Sequence, residues 1–357
     1  MSEADIIQLG ARGRPGRGNR GPSPSRAARS LAPPGRRASG PAPGSSVPGS
    51  SVPGNSVPGS TGPPFLAPVP GPDPDDASGD REGDQVLARA LAFLRRRLTG
   101  DYEIDDLGFD AELTSTLFMS ALRPLAERWF RIEVRGVENI PRDGGALVVA
   151  NHSGTLPVDA LMTVLVVHDH ADRHLRALGA DLVFALPFVS ELARKGGVTM
   201  ACTEDAERLL AGGELVGVWP EGYKGIGKPY AERYRLQRFG RGGFVSAAIR
   251  TRVPIVPCSI VGAEEIYPLI GNLPTLARLL GLPYVPITPF FPLLGPLGLI
   301  PLPSKWVIEF GEPLRTDDHP AASADDPMLV FNLTDQVRER IQLTLDRLLV
   351  HRGGAFA

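Results

Sequence analysis

One histidine and one aspartate frame the chemistry this chain can do. The apolar run Val148-Val149-Ala150 leads into Asn151-His152-Ser153-Gly154-Thr155-Leu156-Pro157-Val158-Asp159. The run has strand character, the small residues after it make a loop, and Asp159 falls where the next helix begins. A hydroxyl is a poor nucleophile until a base takes its proton. Imidazole suits that task near neutral pH, with an unperturbed pKa of ~6.5. A carboxylate on the second ring nitrogen fixes the tautomer and stabilises the imidazolium. His152 with Asp159 thus offers a general base and its orienting partner. The same two residues also read as a satisfied histidine and a helix-capping aspartate.

A second stretch has the same layout. Val216-Gly217-Val218-Trp219 is an apolar strand ending in the turn Pro220-Glu221-Gly222-Tyr223-Lys224-Gly225-Ile226-Gly227-Lys228. Its glycines allow close backbone approach to a ligand, and Lys224 and Lys228 supply cationic donors. The pair suits phosphates on an acyl carrier or a lipid headgroup. Glu221 reads as a polar orienting group or headgroup contact, not as a second base. Asn151, Ser153, Gly154, Thr155 and Gly222 complete the candidate substrate-binding set, with backbone N–H groups at 153–155 placed to hold a developing oxyanion. Together the two stretches point to acyl transfer.

Three other chemistries are excluded. Gly222 to Lys228 matches the spacing of a nucleotide-binding P-loop, but Pro229 stands where that loop needs Ser or Thr. Pro229 also lacks an N–H for a phosphate cradle. No Gly-x-Ser-x-Gly elbow marks a serine hydrolase. Cys202 and Cys258 are the only cysteines and form no zinc spacing, so no metal and no resident cofactor are expected.

The elements that must position these residues alternate. Strand patterns fall at residues 131–135, 144–150, 175–180, 214–219, 254–260 and 306–310, and helical ones at 157–167, 187–195, 204–210, 239–250 and 328–349. That order predicts an α/β domain, a mostly parallel or mixed central sheet covered by helices. Runs such as Leu147-Val148-Val149-Ala150 fit strands buried on both faces. Upstream, 111–130 reads as helical with Pro124 as a kink or restart. Residues 84–98 form a basic amphipathic pattern that suits either a membrane surface or packing on the domain.

The domain expectation is a disordered tail at 1–80, amphipathic helices at 81–130 and a catalytic domain at 131–352. The tail is Arg/Pro/Gly/Ser-rich and repeats Ser-Val-Pro-Gly from Ser46 to Gly59. Such a segment buries too little apolar surface to offset the entropy of ordering. With 38 Lys and Arg against 40 Asp and Glu, the net charge is −2, and no nucleic-acid partner is expected. The acidic start Met1-Ser2-Glu3-Ala4-Asp5 has no apolar core of the secretory type. No charge falls between Arg278 and Lys305, yet seven prolines interrupt the stretch. Repeated prolines cannot sustain a lipid-exposed helix. The stretch reads as an apolar extended loop, either a buried connection or a channel for an acyl chain. The expected location is cytoplasmic, peripheral to the inner face of a membrane.

From about Val134 to Gly262 the chain resembles the lysophospholipid/glycerolipid acyltransferase superfamily. Asn151-His152…Asp159 is similar to its His-x4-Asp block, Trp219-Pro220-Glu221-Gly222 to its Phe-Pro-Glu-Gly block, and Val253-Pro254-Ile255-Val256-Pro257 to its late Val-Pro-Ile-Val-Pro block. Leu186-Pro187-Phe188-Val189 and Gly196-Gly197-Val198 resemble the segment leading to its second block. Glu204 to Leu210 and Arg241-Gly242-Gly243-Phe244 resemble the monoacylglycerol/diacylglycerol acyltransferase-like branch. The resemblance implies acyl transfer from acyl-CoA or an acyl carrier protein thioester to a lipid hydroxyl, with His152 as base, Asp159 as its partner and no covalent intermediate.

Two departures accompany it. Six residues separate His152 from Asp159, so the extra pair must bulge if the two are to meet. The family's phosphate-binding Arg has no counterpart in Thr199-Met200-Ala201-Cys202, which weakens the case for a lysophosphatidic acid acceptor. The longer loop leaves a second expectation open: a lipid or acyl-CoA binding protein without turnover.

Overall fold

Strand β2, Ala146–Ala150, is buried along its whole length. Its alternate side chains enter two different cores. Ala146, Val148 and Ala150 join Met162, Leu165, Phe130 and Trp306 on one face, while Leu147 and Val149 join Leu209, Leu210, Val245, Ile341 and Leu345 on the other. Each such Val or Leu, fully buried, contributes roughly 1.5–3 kcal/mol. An apolar run of this kind is stable only with helices on both sides of the sheet.

The computed structural model describes residues 88 and 90–354, Pro283 excepted. The segment at 1–80 that reads as a disordered tail lies outside the described residues. The strands are β1 Glu133–Arg135, β2, β3 Leu175–Gly179, β4 Thr199–Met200, β5 Leu215–Val218, β6 Ile255–Val261, β7 Gly271–Asn272, β8 Pro286–Ile287 and β9 Val307–Phe310. The helices are α1 at 90–99, α2 Ala111–Leu113, α3 Met119–Pro124, α4 Val158–Ala171, α5 Asp181–Ala185, α6 Val189–Lys195, α7 Thr203–Ala211, α8 Tyr223–Ile226, α9 Gly243–Thr251, α10 Pro274–Leu280 and α11 Pro327–His351.

Seven strands form one sheet in the order β1-β9-β6-β2-β5-β3-β4. All neighbours are parallel except β6 and β9. This is the mixed α/β sheet expected from the alternation of patterns. Helix α4 packs on the face that carries Val148, and α7, α9 and α11 pack on the face that carries Val149. The closing helix α11 starts at a capping Asp326, whose side chain accepts from the Met328 and Leu329 amides, with Pro327 at its first position. The carboxyl ends of β2, β5 and β3 share one edge, which is where open α/β sheets build their sites.

Two upstream expectations are refined. Pro124 does not interrupt the helical stretch; it ends α3 and a wide π turn, Leu125–Trp129, follows. Helix α1 presents Leu91, Leu94 and Leu98 to solvent, Leu98 at 80% exposure, instead of packing them on the domain. Its other side is tethered by Arg97 to Asp110 and by Arg96 to Glu112.

The proline-rich stretch is neither a plain loop nor wholly buried. It takes in the end of α10, strand β8 and a 3-10 turn at Gly295–Leu299. Val285 and Thr288 are buried, whereas Leu279 and Leu293 are more than 80% exposed. Among the described residues no helix is long and apolar enough to cross a membrane.

Candidate active site

The site begins where β2 ends. Asn151 continues the pairing with β6 through its side chain: Nδ2 donates to the Ile260 carbonyl at 3.0 Å and Oδ1 accepts from the Ile260 amide at 2.7 Å. The amide side chain thus does what a backbone pair would do one residue further along. It fixes the point at which the loop leaves the sheet.

His152 comes next and is held at both ends. Its main-chain N–H donates to Glu221 Oε1 at 2.9 Å. Its ring Nδ1 lies 2.8 Å from Asp159 Oδ2. Asp159 also accepts from the Ser153 amide at 2.8 Å and from the Ala160 amide at 2.9 Å. An acceptor that receives two amide N–H bonds is an acceptor for the ring as well, so Nδ1 carries the proton and, among the described residues, none takes up the Nε2 lone pair. Asp159 is fully buried in the first turn of α4, whereas the His152 side chain keeps 11% exposure. The carboxylate is sealed from water, and the largely buried imidazole keeps a small open edge.

The long His–Asp spacing is absorbed by two left-handed residues. Gly154 has φ +93° and Thr155 has φ +64°. The Leu156 amide then bonds back to the Gly154 carbonyl, and the Val158 amide to the Leu156 carbonyl. These are three-residue turns that fold the extra length tightly. Gly154 also lies against the Ala263 carbonyl, 2.9 Å from where a Cβ would stand. The expected bulge is thus present, with its left-handed residues at 154–155. Tyr284, from the proline-rich stretch, donates its hydroxyl to the Thr155 carbonyl.

The turn after β5 packs on this loop from the other side. Trp219 stands with its ring centroid 6.0 Å from that of His152. Glu221 is buried, and its second oxygen accepts from the Gln237 amide at 2.6 Å. Gly222 takes φ +55° at the start of α8. Gly225 brings α8 against the His152 carbonyl.

Several substrate-binding expectations need correction. Asn151 is spent on β6 and has no free face. The Ser153 amide is committed to Asp159, so it is not an oxyanion donor, and the Ser153 hydroxyl is buried without a partner among the described residues. Glu221 orients the His152 main chain and is closed off from any headgroup. Lys228 does not reach outward for phosphate: its ammonium is 1% exposed, 3.1 Å from Glu264 and 3.5 Å from Glu221. The glycine that allows close approach, Gly225, serves the protein's own backbone. Lys224 alone of the two lysines is exposed.

Gln237, Glu264, Tyr267 and Tyr284 meet the site through contacts that sequence spacing does not announce. Cys258 lies in the core, and burial pushes its thiol pKa far up, which removes it as a nucleophile.

Fold and site define a mixed α/β protein that carries a carboxylate-paired histidine at the carboxyl edge of its sheet. Residues 131–261 match the family model described as Acyltransferase, a span that contains His152, Asp159 and Glu221. An uncharacterized protein of Mycobacterium tuberculosis is 63% identical over 274 residues, 76% of each chain. The chain belongs to the acyltransferase family and is an enzyme of that class. A human protein described as a DGAT1/2-independent enzyme synthesizing storage lipids is 27% identical over 220 residues, 61% of this chain and 62% of that one. The crystal structure of the 1-acyl-sn-glycerophosphate acyltransferase PlsC from Thermotoga maritima aligns at TM-score 0.44 and 18% identity, covering 76% of this chain and 90% of that one.

Proposed function

We propose that the protein transfers a fatty acyl group from acyl-CoA, or an acyl carrier protein thioester, to a lipid hydroxyl such as that of a lysophospholipid or acylglycerol. The observation that carries this reading is the 2.8 Å contact between His152 Nδ1 and Asp159 Oδ2, with the carboxylate sealed and a small part of the ring open to solvent. His152 Nε2 takes the proton of the acceptor hydroxyl as its oxygen attacks the thioester carbonyl carbon. The C–O bond forms and a tetrahedral oxyanion develops. Collapse breaks the C–S bond, and the imidazolium returns the proton to the leaving thiolate. Asp159 stabilises the imidazolium through both steps. With the Ser153 amide committed to Asp159, the Gly154 and Thr155 amides of the left-handed loop are the proposed oxyanion donors.

Lys224 is the cation of the Glu-Gly turn that is exposed for a carrier phosphate. The exposed apolar residues Leu156, Val189, Tyr223 and Phe188, the last at 90% exposure, support a peripheral encounter with a bilayer. The proposed encounter is with the cytoplasmic leaflet. The apolar 279–304 stretch, joined to the loop through Tyr284, supports a place for the acyl chain. The 2.8 Å His152–Asp159 contact supports turnover over lipid or acyl-CoA binding on a disrupted dyad.

The test is incubation of the purified protein with acyl-CoA and a mixed lipid acceptor pool. Free CoA thiol should appear only with acceptor present, together with a new ester in an untargeted lipid profile. Thiol release that is absent, or that ignores the acceptor, would contradict the proposal.

A further inference from the structure

Lys228 is an unusual place for a lysine. Its side chain is 1% exposed, and a buried charge costs several kcal/mol unless it is well paired. The pairing here is two carboxylates for one ammonium. Glu264 Oε1 lies 3.1 Å away and also accepts from the Tyr234 amide at 2.9 Å. Glu221 Oε2 lies 3.5 Å away. Replacing such a cluster with apolar residues often leaves stability unchanged or raises it, so stability alone does not account for the arrangement.

What distinguishes it is what Glu221 holds. Oε1 of Glu221 accepts the His152 main-chain N–H, and His152 lies beyond the end of β2, where no sheet partner takes that N–H. Oε2 also accepts from the Gln237 amide at 2.6 Å. The line of contacts runs Glu264, Lys228, Glu221, His152, and the last member is the base of the reaction proposed above.

We propose that Lys228 is a positioning residue: clamped by Glu264, it holds Glu221 against the His152 main chain and so sets where the imidazole stands. The inference rests on the acyl-transfer reading for its kinetic consequence, but not for its structural one. Lys228 touches neither substrate nor reacting atoms and acts through Glu221. It also assigns a role to the second lysine of a turn whose spacing suggests phosphate binding. A phosphate ligand and a positioning residue differ in what their loss does. Loss of the first raises KM for phosphate-bearing substrates. Loss of the second lowers kcat with every substrate.

The experiment compares the wild-type chain, Lys228→Met and the double variant Lys228→Met/Glu264→Gln, which removes the nearer of the two carboxylates that the single variant strands and leaves Glu221 to its two amide N–H bonds. Two donors are used: acyl-CoA and an acyl-N-acetylcysteamine thioester, which has no phosphate. A misplaced base costs on the order of 10- to 100-fold in rate. The expected result is that kcat falls by that much with both donors, at unchanged KM. The double variant regains the wild-type melting temperature without regaining kcat. A rise in KM confined to acyl-CoA would overturn the proposal in favour of a phosphate ligand. Recovery of kcat together with stability would overturn it in favour of a merely structural role.

A second measurement does not depend on turnover. The His152 imidazole resonances of the folded double variant should shift, and its ring protons should exchange faster with solvent than in the wild type. Unchanged His152 resonances would overturn the positioning role. A wild-type protein with no acyl transfer would remove the functional reading and leave this arm to decide.

Discussion

Gly225 and His152 stand in direct backbone contact: a Cβ on Gly225 would lie 2.7 Å from the His152 carbonyl oxygen and 3.0 Å from the His152 Cβ. The turn after β5 is thus packed onto the very residue that the loop after β2 presents. Gly225→Ala should force α8 and His152 apart. The expected loss is about 1–3 kcal/mol of stability, together with a fall in acyl transfer larger than the unfolded fraction accounts for. Chemical denaturation and initial rates on the same sample check both.

Asn151→Ala removes the side-chain continuation of the β2–β6 ladder and strands the buried Ile260 N–H and C=O. The expected loss is roughly 2–4 kcal/mol. A urea midpoint equal to that of the wild type would show that the amide bridge is dispensable.

Asp159→Asn keeps the shape of the side chain but removes the charge that stabilises an imidazolium. The rate should fall about 1,000-fold or more, as when the orienting carboxylate of a comparable relay is neutralised. KM for the acyl donor should change little, because Asp159 is sealed behind His152. Steady-state kinetics separate the two parameters.

Glu264 supplies a pH dependence of stability. Burial raises its pKa from 4.5 to about 7, against the opposing pull of Lys228 and the Tyr234 amide. Between those two values the folded chain holds a proton that the unfolded chain has released. Stability therefore declines as pH rises through that window, and the decline is complete above about 7. Glu264→Gln cannot titrate. Its melting temperature, measured against the wild type from pH 4.5 to 8, should gain steadily on it as pH rises. A constant difference would contradict the assignment.

How much of this was legible in the sequence follows from the range of each contact. Val148 to Asp159 is a local unit: a buried strand, a loop and a helix start lie within one window, so the base and its partner could be read from residue type and order. Glu221 reads from sequence as either an orienting group or a headgroup contact, because the main chain it holds lies 69 residues away. Lys228 was misread as a phosphate contact because glycines and lysines at that spacing look the same whether the partner is a ligand or a buried carboxylate. Glu264, 36 residues further on, decides the matter, and no periodicity links the two. Strand β4 has two residues and α5 has five, too short to show a period. Helix α10, seven residues that run at their end into the proline-rich stretch, is also too short to show a clear period. The exposed stripe of α1 was legible as amphipathic, but only coordinates show which side docks: Arg97 on Asp110, with Leu91, Leu94 and Leu98 facing away.

The most direct measurement is acceptor-dependent CoA thiol release by His152→Ala beside the wild type, each with its melting temperature recorded. A proton-transferring base is worth about 10²–10⁴-fold. The account predicts a loss of at least about 100-fold in a variant that stays folded, since the main-chain bond to Glu221 is kept. A folded His152→Ala protein that still acylates its acceptor at near the wild-type rate would contradict the account.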